Sequence, residues 1–273
     1  MKKIAVILPV YKKDRVDYLR KSVESIINQT YKYFHIFIGV DGPVNNDIAD
    51  QLQLYEEKSE ISIIKFKENR GLPCVLNDLL EICFQEGYEY IARMDADDIS
   101  IVYRFEKQIR YMEAHPEVDI VGGAIEEIDE NGNPNGKQII YPLTHKDCRS
   151  FFSTRNPHAH PAVMIRKRFF EKAGRMYRPD YRQGQDLMMW YDGMIAGTIH
   201  ANVEDVVLKF RVTNNLFSSR RNGLSLAKRR FKMRMEIKKG LHFGIKSTIY
   251  AYAEFIMLIS PSWIKKIAYR VLR

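Results

Sequence analysis

The stretch YEYIARMDADDIS, residues 88–100, runs an apolar segment straight into three carboxylates, Asp95, Asp97 and Asp98. An apolar run this short, ending abruptly in charge, reads as a strand covered on both faces. Acidic residues at a strand's carboxyl end lie where an open α/β sheet keeps its ligand crevice. Three like charges within four positions repel one another unless a cation sits among them. Hard divalent ions such as Mg²⁺ or Mn²⁺ take oxygen ligands and share them with substrate phosphates. A helix cap would need only one carboxylate.

Working outward, strands alternate with helices. KIAVILPVY (3–11) is a nearly continuous apolar run, read as a buried first strand rather than a leader because Pro9 and then charge interrupt it. Asp14 is placed to cap a helix with Val16, Leu19, Val23, Ile26 and Ile27 on one face. FHIFIGVD (34–41), ISIIKF (61–66) and VDIVGGAIEEI (118–128) read as further strands. Leu72, Val75, Leu76, Leu79 and Cys83 mark one helix, and Phe105, Ile109 and Met112 another. NGNPNG (131–136) is a turn or hairpin. Such alternation implies a mostly parallel sheet with helices on both faces.

Charge is uneven. From Val207 to Arg273 there are 16 Lys/Arg against Glu236 and Glu254, a net of +14, which leaves −5 for the remainder of a chain that totals +9. The expected division is a catalytic unit over 1–219 and a basic, amphipathic helical tail over 220–273. Nucleic acid, anionic lipid and phosphate-bearing acceptors are the partners such a tail admits. The segment TIYAYAEFIMLISPSWI (248–264) is broken by Glu254 and Pro261. It falls short of the ~20 apolar residues that span a bilayer, so it is expected to lie on a membrane or pack on the body. Three cysteines without metal-ligand spacing suit a reducing cytoplasm.

Other residues are candidates on local grounds. Asp41 ends the second strand before Gly42-Pro43, as a base or ribose contact or simply as a turn former. Asn69-Arg70-Gly71 opens a helix, so its N–H groups and the Arg70 guanidinium suit a phosphate or base. His158 and His160 flank Ala159 at the start of an apolar strand and share a face there, as acceptor or phosphate contacts or as structural histidines. Asp186, after Gly184-Gln185 and before LMMW, is either a functional acid or an N-cap.

With ILPVYKKD, VDGP, ENRGLPCVLNDLL, YIARMDADDIS, RFEKQI, DIVGG, RNPHAHPAVMIRK and QDLMMW in order, the chain resembles the family 2 inverting glycosyltransferases of GT-A fold. It is most similar to the branch of amylovoran-type, exopolysaccharide and O-antigen transferases, over roughly residues 1 to 215. The resemblance implies a hexose-type sugar moved from a nucleotide diphosphate, UDP foremost, to a lipid-linked or growing glycan. Mn²⁺ or Mg²⁺ would be the cofactor, held by Asp97 and Asp95 as the DxD motif, with Asp95 nearer the ribose. Pro9, Tyr11, Asp41 and Arg70 would line the nucleotide site. Asp186 would be the general base, with Gln185 beside it where the family usually has Glu. Val40 replaces an acid common in the family, and Pro43 follows Gly42. The place implied is the cytoplasmic side, peripheral on the inner leaflet, with no nucleic acid. Two other classes are a sugar-phosphate nucleotidyltransferase, which would want a Gly-rich loop after the first strand, and a non-catalytic nucleic-acid-binding protein.

Overall fold

The computed structural model describes residues 2–213 and 223–260. The 219/220 boundary, and Pro261, Trp263, Lys265 and Lys266 of the expected tail, lie outside them.

The chain opens β1 (Ile4–Val10), α1 (Val16–Ile27), β2 (Phe34–Val40), α2 (Asn46–Glu56), β3 (Ile61–Lys65), α3 (Leu72–Gln85) and β4 (Tyr90–Arg93). The acid loop follows, then β5 (Ile99–Ser100), α4 (Arg104–Ala114), β6 (Ile120–Ile128) and β7 (Pro134–Ile139). The rest is α5 (His145–Phe152), a 3₁₀ turn (His160–Ala162), β8 (Met164–Arg166), α6 (Lys167–Ala173), α7 (Gln185–Ile195), β9 (His200–Arg211), α8 (Leu224–Gly240) and α9 (Ile245–Ile259).

One sheet runs in the order β3-β2-β1-β4-β8-β6-β9-β5, with β7 paired to β6. The pairings among β3, β2, β1 and β4 are parallel, so these four strands end on one edge. β8 enters antiparallel between β4 and β6, and β6 and β9 pair in parallel. The architecture is the mixed α/β, helix-covered sheet that the alternation implied.

The unbroken apolar run of β1 is explained by its two faces. Ile4, Val6, Leu8 and Val10 join the cluster under α1, α2 and α4. Ala5 and Ile7 join the opposite cluster with α3 and α7. Period-two alternation therefore needs an apolar side chain at every position. Pro9 sits in this central strand without costing a ladder bond. The Ile7 carbonyl accepts from Met94 N–H on the β4 side, and Pro9, two residues on, points the same way past the last β1–β4 pair.

Two local readings are corrected. Asp14 does not cap α1: Arg15 is the N-cap residue, and it makes no side-chain cap hydrogen bond. Asp14 instead accepts from the Tyr11 N–H, closing the tight turn that leaves β1. His158 and His160 do not share a strand face, because the chain there is a loop entering a 3₁₀ turn and β8 begins only at Met164.

His158 lies in the core, bonded through Nδ1 to Asn202 and through Nε2 to His200, which in turn meets Thr198. Burial pushes its pKa down to about 4, so it is neutral. Gly122 of β6 makes room for this pair. A Cβ there would strike Asn202 Oδ1 and stand 2.9 Å from His158 Nδ1. Gly122→Ala is therefore expected to destabilise the protein by about 1–3 kcal/mol, the usual cost of overpacking. Chemical denaturation should show this as a lower midpoint, while an unchanged midpoint would mean that the pair yields freely.

The basic C-terminal region begins as part of the body. Met233, Ile237 and Leu241 are buried in the cluster that holds Leu187 and Trp190 of α7. Arg178 bridges Asp192 of α7 and Glu236 of α8. α9 packs on α8, with Glu254 paired to both Arg230 and Arg234. Among the described residues no helix is long and apolar enough to cross a membrane.

Candidate active site

The acid loop, residues 94–98, hangs between β4 and β5 at the edge where the parallel strands end. It is pinned from both sides: the Ser22 hydroxyl of α1 donates to the Asp95 carbonyl, and Arg211, ending β9, donates through Nε to the Asp97 carbonyl. Asp98 is buried, and its Oδ1 accepts the Arg211 backbone N–H. Carboxylate oxygens of Asp95, Asp97 and Asp98 lie within 4.8 Å of one another. Beneath them, buried Arg93 forms an ion pair with Asp95. Buried Arg104 donates to the Arg93 and Val163 carbonyls and so fixes the end of β4.

These cations do not fully offset the acids. Burial, reinforced by Asp95, raises the Asp97 carboxyl to about 6. Burial, then the charges of Asp97 and Asp95, hold Asp98 well above the carboxylate range. Asp14 is raised to about 7, chiefly by burial and further by Asp97 and Asp95, so it faces the same cluster. The second oxygen of Asp98 has no hydrogen-bond partner although buried. Oxygen donors gathered tightly, incompletely neutralised and with one orphaned atom fit a hard divalent cation.

A pH effect follows from these shifts. A carboxyl raised in the folded state adds stability that is complete below its unfolded pKa and lost as pH rises through its folded pKa. For the metal-free protein, Asp97 and Asp14 therefore add stability that fades through about pH 6 and about pH 7. A cation competes with those protons, so its stabilising effect should grow over the same window. Thermal midpoints in EDTA and in Mn²⁺ should draw apart from about pH 5 to about pH 8, whereas a constant gap would contradict this coupling.

Asp41, at the end of β2, is held by the loop that precedes α3. Its carboxylate accepts from Asn69 Nδ2 at 2.8 Å and from the N–H groups of Arg70 and Gly71 at 2.8 and 2.9 Å. The N–H groups expected to meet a phosphate are thus already used, and Asp41 ties the loop before α3 to the end of β2. Gly71, at φ +92°, supports that turn and lies under the Arg182 side chain. The Arg70 guanidinium pairs with Asp78 and stacks over Phe66. Tyr11 is exposed at the same edge, just beyond Pro9.

Asp186 stands in the first turn of α7, with Gln185 as the first helical residue. The N-cap position belongs to Gly184, and Asp186 instead accepts from Asn156 Nδ2 at 2.9 Å. Gly184, at φ +82°, is also where α8 presses: a Cβ would strike the end of Met233 and stand 3.3 Å from an Arg230 nitrogen. His160 is buried, bonded to the Tyr177 hydroxyl at 2.8 Å, and its pKa is held well down by burial. Tyr177, whose pKa burial raises, also feels the charges of Arg93, Asp186 and Asp95.

Asp14, Arg211, Asn156 and Tyr177 are the site residues that sequence reading missed. Only Asp14 carried a local signal, as an acid in the turn that leaves β1.

Glycosyl transferase family 2 matches this chain over residues 5–174. The chain is 30% identical to the amylovoran biosynthesis glycosyltransferase AmsE of Erwinia amylovora, over 97% of each protein. It is 27% identical to an Escherichia coli UDP-Gal:alpha-D-GlcNAc-diphosphoundecaprenol beta-1,3-galactosyltransferase, covering 94% of this chain and 88% of that one. Among solved structures, the mannosyltransferase PcManGT from Pyrobaculum calidifontis, in complex with GDP-Man and Mn²⁺, superposes with a TM-score of 0.63. That match covers 93% of this chain and 69% of the other, and at 15% identity it speaks to the fold.

Proposed function

The chain belongs to glycosyl transferase family 2, and from that premise we propose that it moves a hexose-type sugar from UDP to a lipid-linked or growing surface glycan, with inversion. That it is a glycosyltransferase, of the exopolysaccharide and O-antigen branch, follows from the family and its relatives. This removes the nucleotidyltransferase and the nucleic-acid-binding alternatives. The observation that carries the finer reading is the carboxylate cluster of Asp95, Asp97 and Asp98 at the ends of the parallel strands. UDP as carrier and a lipid-linked acceptor are supported by the Escherichia coli relative, whose name states both. Such an acceptor would place the enzyme peripherally on the inner leaflet.

Asp97 and Asp95 would hold a divalent ion, Mn²⁺ or Mg²⁺, with Asp98 closing the cluster from beneath. When bound, the ion acts as a Lewis acid that neutralises the leaving diphosphate. Arg93, Arg104 and Arg211 keep the loop in place and limit its self-repulsion. Pro9, Tyr11, Asp41 and Arg70 would line the nucleotide site, with Asp41 also ordering the Asn69–Gly71 loop that borders it. Asp186 takes the proton of an acceptor hydroxyl, whose oxygen attacks the anomeric carbon on the face opposite the diphosphate. Asn156 orients that carboxylate, and Gln185, which has no basicity, is left to hydrogen-bond the acceptor. His160 is turned into the core towards Tyr177, and His158 is deeper still, so neither is given a substrate contact.

The test is a panel of UDP-, GDP- and dTDP-sugars offered with Mn²⁺ and a lipid-linked acceptor, with the product's anomeric configuration read by NMR. Transfer from a UDP-sugar with inversion is expected. Transfer with retention would remove the single-displacement mechanism.

A further inference from the structure

The outer side of α9 carries an apolar stripe. Ile245, Ile249, Tyr252, Ile256 and Ile259 recur at steps of four and three and are 48–70% exposed. That spacing places them on one helix face. The opposite side is committed to α8: Ser247 and Ala251 are buried, Phe231 packs on Phe255, and Glu254 holds Arg230 and Arg234, while Tyr252 of the stripe also touches Phe231.

The charges around the stripe are one-signed. Residues 223–260 hold eight Lys/Arg against Glu236 and Glu254, a net of +6. Both acids are already paired with arginines, while Lys228, Arg229, Lys232, Lys239 and Lys246 are exposed. An exposed apolar stripe on a hairpin whose free charges are cationic fits an anionic lipid surface. A second copy fits less well, because two hairpins of +6 would repel and a two-heptad seam is short for a coiled coil. Crossing is excluded by length: 15 residues of helix reach about 22 Å, against the ~30 Å hydrocarbon core.

We propose that the Ile245–Ile259 stripe of α9 lies in the surface of an anionic membrane, with α8 as the support that joins it to the catalytic body. This rests on the reading of the acceptor as lipid-linked and names the face that would meet the membrane. Because α8 packs behind Gly184 and Asp186, a membrane-seated α9 would hold the base side of the site near the acceptor's lipid.

The test uses the full chain with phosphatidylglycerol/phosphatidylethanolamine vesicles and with phosphatidylcholine vesicles. Co-sedimentation is expected with the anionic vesicles, partly released by salt as screening removes the charge contribution. Ile249→Glu with Ile256→Glu alters only exposed positions, so it should leave donor binding unchanged and weaken vesicle binding by about tenfold or more. Ile256→Trp keeps the stripe apolar, and its emission should shift to the blue on anionic vesicles. A full chain that binds nucleotide sugar but stays off the vesicles overturns the docking proposal alone. So does a glutamate variant that sediments like the wild type, or a lipid-free dimer that the glutamates dissociate. A chain that sediments through this stripe but binds no nucleotide sugar supports the docking face and overturns the functional reading instead.

Discussion

Asp97→Asn should reduce sugar transfer by at least about 10²-fold, since outer-shell changes at metal sites already cost 10–100-fold and Asp97 is proposed as a direct ligand. The physical reason lies in the cluster. Burial and the charge of Asp95 oppose the ionisation of Asp97, an opposition that a cation sharing its carboxylate would relieve. Asn keeps the shape of Asp97 and loses its charge. The fold should survive, because the backbone carbonyl of Asp97, not its carboxylate, holds Arg211. Removing the charge should also relieve repulsion, so the metal-free variant is expected to unfold no earlier than the wild type at neutral pH. Transfer rates and thermal midpoints measured together separate a lost ligand from a lost fold, and a variant with near wild-type transfer would remove Asp97 from the site.

Asp186→Asn should lower transfer by about 10²–10⁴-fold, the contribution of a positioned base, while donor binding stays near wild type. Asp186 takes no part in the Gly184 cap, and its carboxylate accepts from the amide of Asn156. Asn can meet that amide through its own carbonyl oxygen, so α7 should start where it does now. A loss confined to kcat, with donor affinity intact, is the expected pattern. Equal loss of donor affinity would mean that Asp186 serves the nucleotide and that the proton goes elsewhere.

What could be read in advance was governed by range in sequence. β1, β2, α1 and α3 announce themselves because each buries a face whose period is local. The acid loop announced itself because three like charges at a strand end are costly without a cation. The second half was less legible. β9 is a 12-residue strand with mixed polarity, and its register on β6 shifts at Gly123 to Ile125, so no clean alternation marks it. Arg211 meets Asp98 across 113 positions, and Asn156 meets Asp186 across 30; no spacing rule reaches such pairs. The partners of Asp41, two backbone N–H groups and Asn69, leave no mark on its own stretch of sequence. The histidine pair was misplaced. Its apolar neighbours Pro161 to Ile165 suggested a strand, but the 3₁₀ turn at His160–Ala162 delays β8 to Met164.

The basic tail was read by charge, and charge hid its packing. α8 has 17 residues with many cations, yet it buries Met233 and Ile237 as deeply as any sheet residue. Long basic side chains leave room for a narrow apolar seam between them, so a cationic helix can still be a core helix.

A divalent ion held by Asp95 and Asp97 would couple nucleotide-sugar binding to metal. Calorimetric titration of the wild-type chain with a UDP-sugar, once in Mn²⁺ and once in EDTA, tests this most directly. Binding in Mn²⁺ that EDTA abolishes or weakens by at least about tenfold is expected. Equal affinity in the two conditions would contradict it.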